Sequence, residues 1–271
     1  MATFDVHVRP SGTSLAAAHQ EILAGGRWQP IDWSGIGPFP EPVRLAGAAS
    51  WTRRMVDEYR STTLFSQLQT LLLLANLPLD VMGAMARVVA DEVRHVQLCA
   101  DAVTALGGAP SGAIEAESAY LLVDPAAGMR PQLLAAAMNL LCLGETVSAR
   151  LIGATHQGTR CAPFKEVLRR LHADEVFHGE FGWQLVGLLL VDASPEERAA
   201  LAAMLPTSLR QLEAVCTTYG DAPEELAEAD RALGSLSVRE HREAFHRAVD
   251  EAVLPRLEAL GLPGREAWAG R

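Results

Sequence analysis

The residues of this chain best suited to chemistry lie in two near-identical strings, Asp91-Glu92-Val93-Arg94-His95 and Asp174-Glu175-Val176-Phe177-His178. Each sets a carboxylate and an imidazole three positions apart, which on an α-helix places both on one face. Two such helices facing one another can hold a pair of metal ions. A chain with 33 acidic residues and 8 histidines yields about one acidic-x-x-His by composition alone, so a single copy means little. This chain has three. The third, Glu243 with His246, lacks a preceding Asp, sits in the charged string VREHREAFHRAVDE and falls beside the stripe Phe245, Val249 and Ala252, so it reads as a solvated face.

Positioning the two strings requires helices, and the composition favours them. Hydrophobic residues make up 49% of the chain and aromatic residues only 6%, the filler being largely Ala and Leu. Apolar spacing predicts a first helix from Pro42 to Leu77, ended by Pro78, and a second from about Leu79 to Leu106, stopped by Gly107-Gly108. A long link from Gly107 to Pro131 follows, with a helical turn near Ile114 to Leu122. It serves as the crossover that lets the next helix start at the other end of a bundle. A third helix runs from Pro131 to about His156 and a fourth from about Pro163 to Val191. Ser194-Pro195-Glu196-Glu197 opens a fifth, ending near Tyr219, and a sixth spans about Val238 to Leu260. Residues 1 to about 40 are rich in Gly, Pro and Trp and form an irregular arm, with a short helix near Ser14 to Leu23. The expected fold is all-α: one domain over 1–271, with a four-helix bundle over 42–191 and two further helices over 195–260.

The core stripes of the four bundle helices carry acids. The series 51, 55, 58, 62, 65 passes through Glu58, and 134, 138, 141, 145, 148 passes through Glu145; the other two stripes pass through Glu92 with His95 and Glu175 with His178. A carboxylate in an apolar stripe is costly unless it is paired or bound to metal. Glu58 precedes Glu92 by 34 residues and Glu145 precedes Glu175 by 30, so each half is a helix bearing one Glu followed by a helix bearing Glu-x-x-His. Packed about a pseudo-twofold axis, the halves supply four carboxylates and two imidazoles, enough for two iron or manganese ions.

These residues resemble the ferritin-like, or rubrerythrin-like, carboxylate-bridged dimetal proteins, which include bacterioferritin, rubrerythrin and the diiron oxygenase subunits. The likeness covers about residues 50 to 190, on the strings DEYRS, DEVRH, GETVSA and DEVFH. It implies that Glu58, Glu92, His95, Glu145, Glu175 and His178 are metal ligands, and that two iron ions are the cofactor, with manganese or a mixed pair as alternatives. It implies that Asp91 orients His178 and Asp174 orients His95, fixing tautomer and ring angle. Some arylamine N-oxygenases of this superfamily use an additional histidine from the fourth helix, which makes His172 a candidate extra ligand, with a packed or surface histidine as the alternative. Thr62, Cys99, Leu141 and Cys142, beside or within about one turn of the ligands, would line an apolar substrate pocket, roofed by the terminal segments. Phe177 where the first motif has Arg94 makes the two halves electrostatically unequal.

The resemblance implies a non-haem diiron oxidoreductase, an oxygen-dependent oxidase or oxygenase acting on a small organic molecule, with an external electron donor as a further partner. An iron-handling or peroxide-scavenging protein without organic substrate, or a metal-stabilised structural bundle, is the alternative. The net charge of −10 argues against a nucleic-acid or anionic-membrane partner. Cys99, Cys142, Cys161 and Cys216 contain no Cys-x-x-Cys, which excludes a rubredoxin-type site and fits reduced thiols in a cytoplasm. The stretches Leu71 to Leu74 and Leu185 to Val191 are too short to span a bilayer. A homodimer is left open.

Overall fold

The structure is a computed structural model and describes residues 3–6, 29–37, 39–121, 128–217 and 223–271. The described residues are almost entirely helical, in agreement with the all-α expectation. Four long helices carry the motif residues: α1 (Glu41–Leu74), α2 (Leu79–Ala105), α3 (Met129–Gly158) and α4 (Ala162–Val191). Four more follow: α5 (Pro195–Thr217), the single turn α6 (Glu228–Ala232), α7 (238–259) and α8 (Gly264–Ala269). The two short helices α6 and α8 are additions to the two expected after residue 194. The predicted helix at Ser14 to Leu23 and the predicted end of α5 at Tyr219 lie outside the described residues.

Local chemistry explains most boundaries. Asn76 takes a left-handed φ of 53° at the α1–α2 turn, a conformation in which Asn is tolerated. Its N–H donates to the Leu73 carbonyl, so α1 ends before Pro78, which N-caps α2 instead of terminating α1. Gly107 ends α2 as expected, with φ 84° and its N–H bonded to the Thr104 carbonyl. Reciprocal bonds between Ser194 and Glu197 cap α5, and a capping box of Ser237 and Glu240 opens α7. Ala113–Glu115 (β2) pairs antiparallel with Thr3–Asp5 (β1), a two-stranded ribbon that takes part of the stretch expected to be a helical turn; a 3₁₀ turn at Ala116–Ala119 takes another part.

Two separate apolar cores form. One gathers Phe65, Leu68 and Leu72 of α1, Met82, Met85 and Val88 of α2, Leu133 to Val147 of α3, Phe181 to Leu190 of α4, and buried residues of α5, α7 and α8. The other gathers Trp51 and Met55, Val96 to Leu106, Ile152, and Phe164 to Leu171. Trp51 anchors the second core: its ring lies 5.6 Å from that of Phe164, and its indole N–H donates to the Leu233 carbonyl at 2.8 Å. On α1, α2 and α4 the motif residues sit between the stretches belonging to the two cores, and on α3 Glu145 lies near the end of the first stretch.

Helices α5 and α7 pack on α3, as does α6 more lightly. That coverage fits the largely apolar make-up of α3, whose exposed polar residues Asn139, Arg150 and Gln157 are confined to one stripe. By length and composition α3 reaches what a bilayer crossing requires, which a search for uninterrupted apolar runs misses, but most of its apolar window is buried inside the protein. Within α3, Met138–Glu145 is π-helical. The backbone of this stretch closely approaches α4, where a Cβ on Gly182 would fall 2.4 Å from Leu141 Cβ and 3.0 Å from Cys142 N.

Candidate metal centre

The helices bring Glu58, Glu92, His95, Glu145, Glu175 and His178 together in the layer between the two cores, all buried. Two metal-capable groups result, Glu58 with Glu92, His95 and Glu175, and Glu92 with Glu145, Glu175 and His178. In each, one ligand atom per residue lies within 4.8 Å of all the others. Glu92 and Glu175 belong to both groups; Glu58 with His95, and Glu145 with His178, belong to one each. The imidazoles stand with ring centroids 5.7 Å apart.

Both histidines turn the same nitrogen inward. His95 Nδ1 lies 3.3 Å from Glu58 Oε2, 3.4 Å from Glu175 Oε1 and 3.5 Å from Glu92 Oε1. His178 Nδ1 lies 3.2 Å from both Glu92 Oε1 and Glu145 Oε2. The outward nitrogens meet aspartates: His95 Nε2 is 3.4 Å from Asp174 Oδ2, and His178 Nε2 is 3.4 Å from Asp91 Oδ2. An Nε2–H donated to the aspartate leaves the Nδ1 lone pair for a cation. Both Glu92 oxygens, Glu175 Oε2 and His95 Nδ1 are buried without a hydrogen-bond partner among the described residues despite these short separations. Groups that crowd together yet do not aim at one another are what a shared cation requires of its donors. The donor set therefore fits one or two metal ions.

Protonation follows from the crowding. Burial raises the Glu58 carboxyl to about 7 against the lowering pull of His95. Burial and then neighbouring Glu145 lift Glu175 well above the carboxylate range. At Glu92 burial is outweighed by the adjacent imidazoles of His178 and His95, which bring it to about 2. Burial disfavours the charged forms of both imidazoles, but Glu145 and Glu92 carry His178 up to about 10, and the carboxylates led by Asp174 raise His95 well above its usual value. Protons thus neutralise part of a cluster of four buried carboxylates, the role divalent cations can take.

The aspartates are themselves held by arginines that spacing alone does not reveal. Arg94 pairs with Asp91 on its own helix. Arg87 Nε lies 3.3 Å from Asp91 Oδ2, and Arg87 Nη2 lies 3.7 Å from Asp174 Oδ1. The cues in the sequence are that Arg87 precedes Asp91 by four residues and Arg94 follows it by three, and neither points to Asp174.

The remaining candidates are placed as follows. His172 belongs to neither metal-capable group; its ring packs on α3, with Nε2 3.0 Å from where a Cβ on Gly153 would stand. Cys99 is fully buried in one core, and Leu141 and Cys142 are fully buried in the other. Burial raises both thiols well above the ordinary thiol range, and all four cysteines are free. The half-buried Thr62 donates its hydroxyl to the Glu58 carbonyl at 2.9 Å. A depression of about 420 Å³ lies elsewhere, lined by Pro30, Ile31, Trp33, Asp101, Thr104 and Ala105. Glu243 pairs with Arg239, and His246 stacks edge-on to Trp268, so the third acidic-x-x-His takes no part in the cluster. No protein-family model matches the chain, and no curated protein matches it significantly.

Proposed function

We propose that the chain is an oxygen-dependent oxidoreductase of the ferritin-like, dimetal kind, holding two iron ions, or manganese in their place. The observation that carries this reading is the pair of inward Nδ1 atoms, each facing carboxylates from several helices, with Glu92 and Glu175 shared between the two groups. On this reading Glu92 and Glu175 would be held in common by the two ions. Glu58 with His95 would hold one ion, and Glu145 with His178 the other. When bound, such a pair supplies two-electron oxidation of an organic molecule by dioxygen.

The finer fold supports the same reading. Following each helix from one core to the other, α1 and α4 run one way and α2 and α3 run the other. An α2 and α3 of like direction need the connection between them to cross the length of the bundle, as in ferritin-like folds. We read the chain as one domain built on that four-helix bundle, with α5 to α8 as a lateral layer on α3.

The protein's own groups have assignable tasks. Asp91 and Asp174 hold the imidazole rings, so that Nδ1 faces inward and the Nε2 proton stays on the outer side. Glu58 and Glu145 are each 7% exposed, whereas both histidines are 0% exposed, so on this reading a small organic molecule and dioxygen would approach from the side of these two glutamates. Thr62 stands on the same stripe as Glu58, and Cys99, Leu141 and Cys142 close the two apolar ends. The buried thiols of Cys99 and Cys142 belong to neither metal-capable group.

The test is oxygen uptake by iron-loaded, reduced protein with amines, aromatics and fatty-acyl compounds. A product formed in proportion to oxygen consumed is expected with at least one class. Iron accumulating as mineral, with no organic compound altered, would replace this reading with iron handling.

A further inference from the structure

The two motifs differ at one position, and the structure shows what stands in for the missing group. The first motif supplies Arg94, which pairs with its own Asp91; the second has Phe177 at the matching place, and Asp174 receives no arginine from its own motif. Arg87 of α2 occupies that role. Its guanidinium lies over the Phe177 ring, 3.8 Å from the centroid, and reaches Asp174 at 3.7 Å and Asp91 at 3.3 Å. The charge of Arg94 also helps to lower the Asp174 carboxyl, but its ion pair is with Asp91. Asp174 in turn meets His95 Nε2.

We propose that Arg87, seated on Phe177, is a positioning residue that orients His95 through Asp174 and so gives the second motif the guanidinium that Arg94 gives the first. This rests on the dimetal reading for its consequence at the metal, but the orientation itself is a property of the chain alone. An ion pair at 3.7 Å with Arg87 52% exposed and Asp174 26% exposed contributes little as a free surface pair. The aromatic seat and the second contact to Asp91 restrict the guanidinium to the bridging place, so the pair fixes geometry more than it adds attraction. The two histidines are unequally protected as a result. If Arg87 is lost, Asp91 keeps its ion pair with Arg94, whereas Asp174 loses the guanidinium that is seated against it.

The experiment uses Arg87→Ala, Arg87→Lys and Phe177→Leu in the full chain, with helical content and melting temperature as folding controls. The first readout is the hydrogen exchange of the imidazole Nε2 protons by NMR in metal-stripped protein, which is independent of any metal. In Arg87→Ala the His95 proton is expected to exchange faster, and the His178 proton to change by clearly less. The second readout is titration with cobalt(II), in which one of two binding steps weakens by about tenfold and the other changes little. Arg87→Lys restores neither fully, because an ammonium cannot serve both aspartates and stack on the ring. Phe177→Leu keeps every charge and shifts His95 in the same direction to a smaller extent, which answers the question even if Arg87→Ala folds poorly. Unchanged exchange at His95, or equal change at both histidines, would overturn the proposal. If the unaltered protein binds no cobalt while the exchange pattern holds, the dimetal reading fails and the positioning role stands.

Discussion

Glu92 and Glu175 touch both metal-capable groups, and the other four candidate ligands touch one each, so substitutions should sort into two classes. Glu92→Ala is expected to weaken both metals, whereas His95→Ala or His178→Ala should remove one and leave the other; Glu243→Ala and His246→Ala should remove none. Metal per chain after gel filtration, by elemental analysis, checks this, and equal loss from all five would contradict it. The metal-free protein carries a pH signature as well. His178, raised from 6.5 to about 10 in the folded state, adds stability that is complete below about 6.5 and lost as pH rises toward 10. Glu58, raised from 4.5 to about 7, also keeps its proton only when folded and acts in the same direction between those values. Glu92, lowered to about 2, works the other way only below 4.5. Calorimetry of chelator-stripped protein should show a lower melting temperature at pH 9 than at pH 6, and a rise over that interval would contradict the assignment. The six candidate ligands are legible in the sequence because each falls on an apolar stripe where a charged side chain needs a partner. Arg87 is not, since its role depends on Phe177 and Asp174 of another helix.

At the scale of elements, the site depends on how closely α4 can approach the π-helical stretch that ends at Glu145. Gly182→Ala would set a methyl group 2.4 Å from Leu141 Cβ and 2.9 Å from the Leu141 carbonyl carbon, forcing the helices apart. Overpacking of this kind costs about 1–3 kcal/mol, and displacement of Glu145 should weaken metal binding with it. Gly83, exposed within α2 with nothing within 4 Å of the place an added methyl group would take, is the contrast: Gly83→Ala should stabilise by about 0.5–1 kcal/mol and leave metal binding alone. Denaturant titration of both variants checks the pair, and a stabilised Gly182→Ala would contradict the packing argument. The long helices are legible from their period, but the π stretch is not. Leu134, Met138, Leu141 and Glu145 keep an α-helical spacing, and no residue in Met138–Glu145 marks the widened turn, which packs against α4 and α5. The ribbon of β1 and β2 is hidden from sequence reasoning because three residues per strand give too short an alternation to read.

Across the whole molecule, one ionic layer divides two apolar cores, and the helices after residue 194 cover α3 from outside. The number of long helices follows from composition and period, while the side on which the later helices pack does not, since the apolar surface of α3 is wider than one partner helix can cover. Because the donors are buried and crowded, metal should bind the folded chain far better than the unfolded one and raise its melting temperature. The most direct test of the central claim is anaerobic titration of the stripped, full-length protein with iron(II), followed by elemental analysis. Two ions per chain are expected, falling below one in Glu92→Ala. Fewer than about one ion per chain in the unaltered protein, or two ions that survive Glu92→Ala unchanged, would contradict it.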